Sequence, residues 1–234
     1  MFLATTFSIL SMGLTLTMAK PQAVTCGSVI KLMNNAHKIR LHSHDVKYGS
    51  GSGQQSVTGT TVKEDVNSHW TIKGPEDKSY CKRGEPVECG QKIRLEHLTT
   101  HRNLHSHHFS SPLTNSQEVS AFGDGGSGDS GDVWTVMCEG DYWIRDNVMQ
   151  LKHVDTGAFL GASGQTFGRP INGQVSPRLA GGIGFFLTLF FMFQMEIVGT
   201  SRPDGSTKWR TQEGVYIHQT DFDPKRKYGS HDEL

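Results

Sequence analysis

A chain of 234 residues with 23 basic and 23 acidic side chains has no net charge at neutral pH, which argues against nucleic acid or an anionic membrane surface as its partner. Its length and its 27 glycines suit one β domain, or two small ones, with a proper buried core. No phosphate loop, Gly-x-Ser-x-Gly or His-Glu-x-x-His pattern occurs, so no catalytic residue and no cofactor is expected.

Residues 1–19 carry no charged side chain and end in Thr17-Met18-Ala19, with small residues at the two positions a signal peptidase inspects. The apolar run is shorter than the usual span of roughly 20 residues, so it reads as a secretory signal peptide rather than a membrane helix, even without Lys or Arg ahead of it. At the other end, His231-Asp232-Glu233-Leu234 reads as an address bound by a retrieval receptor of the endoplasmic reticulum, carried by a tail over 219–234. Both ends therefore predict the endoplasmic reticulum lumen. Four cysteines, Cys26, Cys81, Cys89 and Cys138, predict two disulfides in that oxidising compartment, with three connectivities open.

From Val24 onward, apolar residues alternate over short stretches bounded by turn residues, as in Ile39-Arg40-Leu41-His42, Trp70-Thr71-Ile72-Lys73 and Ile93-Arg94-Leu95-Glu96. That two-residue period predicts half-buried strands and an all-β class. The strands also repeat. Cys26-Gly27, Ile30, Leu32 and Leu41-His42-Ser43-His44 recur 63 residues later as Cys89-Gly90, Ile93, Leu95 and Leu104-His105-Ser106-His107. Trp70-Thr71-Ile72 returns 64 residues on as Trp134-Thr135-Val136, and a weaker third copy begins at Leu151 with Gly161-Ala162-Ser163 in place of His-Ser-His. Three units, about 24–82, 87–139 and 142–214 within a domain over 24–218, predict a β-trefoil, because a unit this small cannot bury its own apolar face. Each of the first two units opens with a Cys and closes with one after its Trp, so symmetry favours Cys26–Cys81 and Cys89–Cys138.

The repeat spacing exposes a misfit. Gln174 to Trp209 is 35 residues, where Gln54 to Trp70 is 16 and Gln117 to Trp134 is 17. Without 175–194 the chain reads Gln174-Met195-Glu196-Ile197-Val198-Gly199, which resembles the first repeat from Gln54. The excess includes GGIGFFLTLFFMFQ. A membrane span is disfavoured, since 183–195 is too short and is broken by Gly184 and Thr188. A hydrophobic docking loop is one reading. The favoured one is a retained intron: every Val codon begins with the donor dinucleotide, Phe and most Leu codons are pyrimidine-rich, and Gln194 can supply an acceptor.

The repeated Leu-His-Ser-His, the Cys-Gly openings and the stretch Ser50-Gly-Ser-Gly-Gln-Gln-Ser-Val-Thr58 resemble the stromal-cell-derived factor two family, small proteins of three MIR motifs. The likeness covers 24–174 closely and 195–215 loosely, and includes the C-terminal address. The resemblance implies a β-trefoil and a non-enzymatic role in quality control of the endoplasmic reticulum, linked to the unfolded-protein response. It implies as partners a J-domain co-chaperone, a BiP-type chaperone reached through it, and misfolded or O-mannosylated clients.

Among candidate site residues, His42, His44, His105, His107 and His108 stand out. Alternation places His42 and His44 on one strand face, yet a closed metal site needs further ligands, so no metal is predicted. A polar surface for a glycan or client peptide is a second reading, with Arg40, Asp45 and Tyr48 supplying hydrogen bonds and an aromatic platform. The third reading is that these side chains satisfy backbone groups in turns. Trp70, Trp134 and Trp209 occupy equivalent places and are expected in the core, with Trp143 a surface candidate outside that series. Asp124 to Asp132 has the composition of a calcium loop without its terminal Glu and reads as a flexible acidic loop.

Overall fold

A computed structural model describes residues 22–75, 81–168 and 194–217. The signal peptide 1–19, most of the apolar excess and the C-terminal address lie outside the described residues. Among the described residues, twelve strands come as four per repeat. The first repeat holds β1 (Val29–Asn34), β2 (Arg40–Lys47), β3 (Gln55–Thr60) and β4 (Trp70–Lys73). The second holds β5 (Lys92–His97), β6 (Asn103–Ser110), β7 (Gln117–Phe122) and β8 (Trp134–Met137). The third holds β9 (Gln150–His153), β10 (Phe159–Thr166), β11 (Met195–Thr200) and β12 (Trp209–Val215). Among the described residues no helix is long and apolar enough to cross a membrane.

First and fourth strands close a barrel. β1 pairs with β12 and β4, β4 with β5, β5 with β8, and β8 with β9, all antiparallel; a bridge between Met149 and Trp209 completes the ring. Second and third strands form three hairpins, β2–β3, β6–β7 and β10–β11. The third strands then meet in a triangle, β3 with β7, β7 with β11 and β11 with β3, each through two residues in the same register. This is a β-trefoil. Closure leaves no barrel edge exposed, which a half-buried strand pattern requires.

The apolar alternation feeds one core. Trp70, Trp134 and Trp209 are fully buried, and each indole N–H donates to the carbonyl of the leucine that opens the His-Ser-His stretch or its third copy: Leu41 at 3.0 Å, Leu104 at 2.8 Å and Leu160 at 2.9 Å. Trp143 joins them fully buried, which corrects its reading as a surface residue. The ends of the first strands are fastened alike. Asn34, His97 and His153 each donate to a backbone carbonyl in the 3-10 turn of the repeat that precedes them around the ring, of Ser206, Asn67 and Gly131 respectively. Cys26–Cys81 and Cys89–Cys138 are bonded, with Cα–Cα distances of 5.3 and 5.2 Å.

The same symmetry locates the excess. At each hairpin tip a backbone N–H donates to a carbonyl across the loop: Tyr48 to Gln54 at 2.9 Å, Ser111 to Ser116 at 2.7 Å and Phe167 to Gln194 at 2.9 Å. Five and four residues separate the first two pairs, and 26 separate the third. Gln194 is buried and accepts a hydrogen bond from Thr58 Oγ1 at 2.9 Å, so it belongs to the fold and not to the excess. Removing 174–193 or 175–194 yields one and the same product, because Gln174 and Gln194 are the same residue type, and leaves six residues between Phe167 and its Gln. We expect that shortened chain to unfold in a single cooperative thermal transition with the near-UV signal of its buried tryptophans kept. A broad, non-cooperative melt would show that the third repeat needs the segment.

Candidate binding grooves and the histidine chains

Strands β2 and β6 present the Leu-His-Ser-His stretches in equivalent places, and alternation turns both histidines of each to one side. His42 Nδ1 lies 2.7 Å from Asp65 Oδ2, and His42 Nε2 lies 2.9 Å from His44 Nδ1. In β6, His105 Nδ1 lies 2.9 Å from Asp132 Oδ1, His105 Nε2 lies 3.1 Å from His107 Nδ1, and His107 Nε2 reaches Glu118 Oε1 at 3.0 Å. These are carboxylate–imidazole–imidazole chains that tie the hairpin to the 3-10 turn. Burial pushes the Asp65 carboxyl up, but hydrogen bonds from His42, Ser68 and the Asn67 amide more than reverse it and leave it below its ordinary value. Burial, reinforced by the neighbouring His42, pulls His44 down to about 4. The third repeat dispenses with the chain: a Cβ on Gly161 would sit 3.2 Å from the Thr207 methyl.

A second device links the repeats. Glu118, fully buried on β7, accepts from the Ser52 amide at 3.2 Å and from the Ser52 hydroxyl in the tip loop of repeat one. Glu196, fully buried at the matching place on β11, accepts from the Leu113 amide at 2.7 Å, the Thr114 amide at 3.3 Å and the Thr114 hydroxyl at 2.8 Å in the tip loop of repeat two. Burial raises the Glu118 carboxyl, and hydrogen bonds from His107 and Ser52 outweigh it, so it titrates below its ordinary value. At the matching place in repeat one stands Ser56, whose buried hydroxyl has no partner among the described residues. Each of the two carboxylates thus clasps the loop of the preceding repeat. No local motif announced them, since the partners lie 66 and 83 residues away.

The predicted glycan surface does not assemble. Tyr48 is only 4% exposed, and its hydroxyl sits 2.8 Å from the Val57 carbonyl and 3.0 Å from that of Val119, so it offers no platform. Arg40 is buried and donates to Glu213 at 2.6 Å; His42 and His105 are buried in their chains. The structure brings His42, His44 and Asp65 together, and His105, His107 and Glu118, for the fold's own needs. Only Asp45 and His108 stay exposed, apart from one another on different hairpins. His105, Asp129 and Asp132 offer ligand atoms within 4.8 Å of one another, but His105 and Asp132 already satisfy each other. Asp129 and Asp132 also form a reciprocal cap around the 3-10 turn at 130–132, so this part of the acidic stretch is ordered structure rather than a flexible loop.

Open space lies instead between repeats. One groove of about 520 Å³ joins Lys47, Gln54 and Gln55 of repeat one to Arg102, Phe122 and Asp124 of repeat two. A second, of about 550 Å³, repeats it between His108, Phe109 and Gln117 of repeat two and Thr156, Thr200 and Ser201 of repeat three. Both have the size of small-molecule sites. Their floors match: Gln55 Nε2 donates to Ser43 Oγ and Thr100 Oγ1 at 2.7 and 2.9 Å, and Gln117 Nε2 to Ser106 Oγ and Thr156 Oγ1 at 2.7 and 2.8 Å.

Comparison with known proteins agrees with this architecture. A family model described as the MIR domain matches residues 32–137. The crystal structure of the SDF2-like protein from Arabidopsis thaliana superposes with a TM-score of 0.72 at 39% identity, covering 86% of this chain and all of that one. A protein O-mannosyltransferase complex from S. cerevisiae, solved with its sugar donor, shares the fold at a TM-score of 0.64 and 24% identity, over 87% of this chain and 27% of that one. Stromal cell-derived factor 2 from Bos taurus is 47% identical over 211 residues, 90% of this chain and 89% of its own length. With the three-repeat trefoil already in place, that identity over nearly the whole length means that this chain belongs to the stromal cell-derived factor 2 family.

Proposed function

We propose that the chain is a non-catalytic binding module of protein quality control in the endoplasmic reticulum lumen. There it joins a J-domain co-chaperone and, through it, a BiP-type chaperone, and engages misfolded or O-mannosylated clients. The observation that carries this reading is the fate of the chemical groups. The histidines and carboxylates that could serve acid–base work, namely His42, Asp65, His105, Asp132, Glu118 and Glu196, are buried and bonded to one another or to the backbone, while the open space lies in grooves between the repeats. Such a surface binds without reacting. Two disulfides suit an oxidising secretory-pathway lumen, and the proposed signal peptide 1–19 and the address His231–Leu234 would place the chain there.

Affinity capture of the tagged chain from endoplasmic reticulum lysate, with O-mannosylation intact or blocked, tests this. We expect a J-domain co-chaperone and a BiP-type chaperone in equal yield under both conditions. Recovery of mannosylated proteins alone, lost when the sugar is absent, would replace this reading with that of a glycan-binding module. The two inter-repeat grooves favour that second reading, since an open cleft that combines hydrogen-bonding side chains with an aromatic ring, Phe122 in one and Phe109 in the other, is the kind of surface a sugar needs.

A further inference from the structure

We propose that the groove between repeats one and two is a binding site for a neutral hexopyranoside, an inference that rests on the glycan-binding reading above. A pyranose offers hydroxyls that donate and accept together with an apolar C–H face, so its site must supply donors, an acceptor and an aromatic surface in one cleft. This groove has all three. Arg102 contributes a guanidinium whose ion pair among the described residues is a long 3.8 Å contact to Asp45, itself 75% exposed. Such a contact holds it weakly. Gln54 Oε1 accepts from Ser120 Oγ at 2.5 Å, which fixes the amide so that its NH₂ group is the free end. Asp124 supplies an exposed carboxylate acceptor. Phe122 forms the aromatic wall, steadied by the His105 ring at a centroid distance of 4.9 Å.

Charge selects the ligand class. Lys47, Arg102 and Asp124 line the groove, and Arg102 is further offset by its contact with Asp45, so the cations are largely balanced by nearby carboxylates and the groove suits an uncharged polyol. The pseudo-threefold axis supplies internal controls. Where this groove has Lys47, Arg102 and Phe122, the groove between repeats two and three has Ser110, Ala158 and Thr200. The register places Thr166, Ile39 and Thr60 at the corresponding positions between repeats three and one. The strand pairing is common to all three junctions; at these corresponding positions the charged donor and the aromatic ring occur together in the first, whereas the second groove draws its ring from Phe109 beside His108.

Titration of the full chain with methyl α-mannopyranoside, followed by amide chemical shifts, tests the assignment, with the gluco and galacto epimers as comparison. Shifts should concentrate at Gln54, Arg102 and Gly123 to Gly128. Arg102→Ala and Asp124→Asn, both at solvent-accessible side chains, should each weaken binding about tenfold or more, with the remaining amide spectrum unchanged. Ser110→Ala, in the second groove, should change it less than about twofold. Pyranoside binding that maps elsewhere, or that survives both first-groove substitutions, overturns this site while the glycan-binding reading stands. No pyranoside binding at all overturns both, and the capture experiment then decides the chaperone reading on its own.

Discussion

Lowering the pH from 7.5 to 5 should destabilise the folded chain by roughly 3 kcal/mol, through histidines that the fold keeps neutral. His97 is the principal one. Its Nε2 faces the Asn67 carbonyl at 2.9 Å and must donate; its Nδ1 then accepts from the Thr100 hydroxyl at 2.9 Å, which in turn accepts from Gln55 at 2.9 Å. Protonation at Nδ1 would end this acceptance and force the Thr100 hydroxyl to turn its own proton away. Burial pulls His97 down to about 4, with the Asn67 carbonyl opposing it. Burial and the adjacent His42 pull His44 equally low; burial also lowers His153, which makes the same contacts with Gly131 and Thr156. In the unfolded chain a histidine takes up its proton near pH 6.5. Between about 6.5 and 4 the unfolded state therefore binds more protons, and each such group costs about 1.4 kcal/mol of stability per pH unit, less at the partly exposed His44. The depressed carboxyls of Asp65 and Glu118 act in the opposite pH range: their stabilisation is present above the ordinary carboxylate pKa and is lost only below it. Urea unfolding at pH 7.5, 6 and 5 measures the slope. His97→Asn installs the residue that repeat one uses at this place, Asn34, and should remove about 2 kcal/mol of the drop. A stability that is level from 7.5 to 5, or a slope untouched by His97→Asn, would refute the account.

Glu196→Ala should cost roughly 3 kcal/mol, the second large effect. The carboxylate is fully buried and accepts two amides and one hydroxyl from the tip loop of repeat two. Hydrogen bonds to a charged acceptor are the stronger kind, and their removal leaves two backbone amides without an acceptor. Leu113 within the loop is exposed, and the loop's other hydrogen bonds, Ser111 N–H to Ser116 and Asn115 N–H to Ser111, are internal to it, so the carboxylate is what ties it to repeat three. Hydrogen exchange at Leu113 and Thr114 should speed up along with the global loss. Glu196→Ser, the arrangement repeat one has at Ser56, should behave like the alanine variant, because the shorter side chain cannot reach the loop. A loss below about 1 kcal/mol with exchange unchanged at both amides would mean that the clasp contributes nothing. The clasp also distinguishes the loop that holds the excess chain. The 26 residues between Phe167 and Gln194 lie in the one tip loop of the three whose neighbouring repeat offers Ser56 instead of a glutamate.

Much of the architecture was legible in the sequence, and the reason is the repeat. Alternation around Trp70, Trp134 and Trp209, with the 63-residue recurrence of Leu-His-Ser-His, specifies four strands per unit and a shared core before any contact is known. Those features are local, and strand period depends only on neighbours along the chain. Which face of a strand meets solvent is not local. In the first halves of β2 and β6 both faces are covered, so the alternation that marks a half-buried strand says nothing about exposure there. Tyr48 and Arg40 read as surface groups and are buried, while Arg102 and Phe122 drew no notice and line a groove. The Glu118 and Glu196 clasps, and the grooves themselves, arise between repeats from residues many tens of positions apart. The sequence by itself determined the period, the count of repeats and the placing of Trp70, Trp134 and Trp209 in the core. Only the tertiary structure decided which polar side chains the closure of three repeats would bury and which it would leave facing a cleft, because that depends on how neighbouring units pack and not on what either encodes alone.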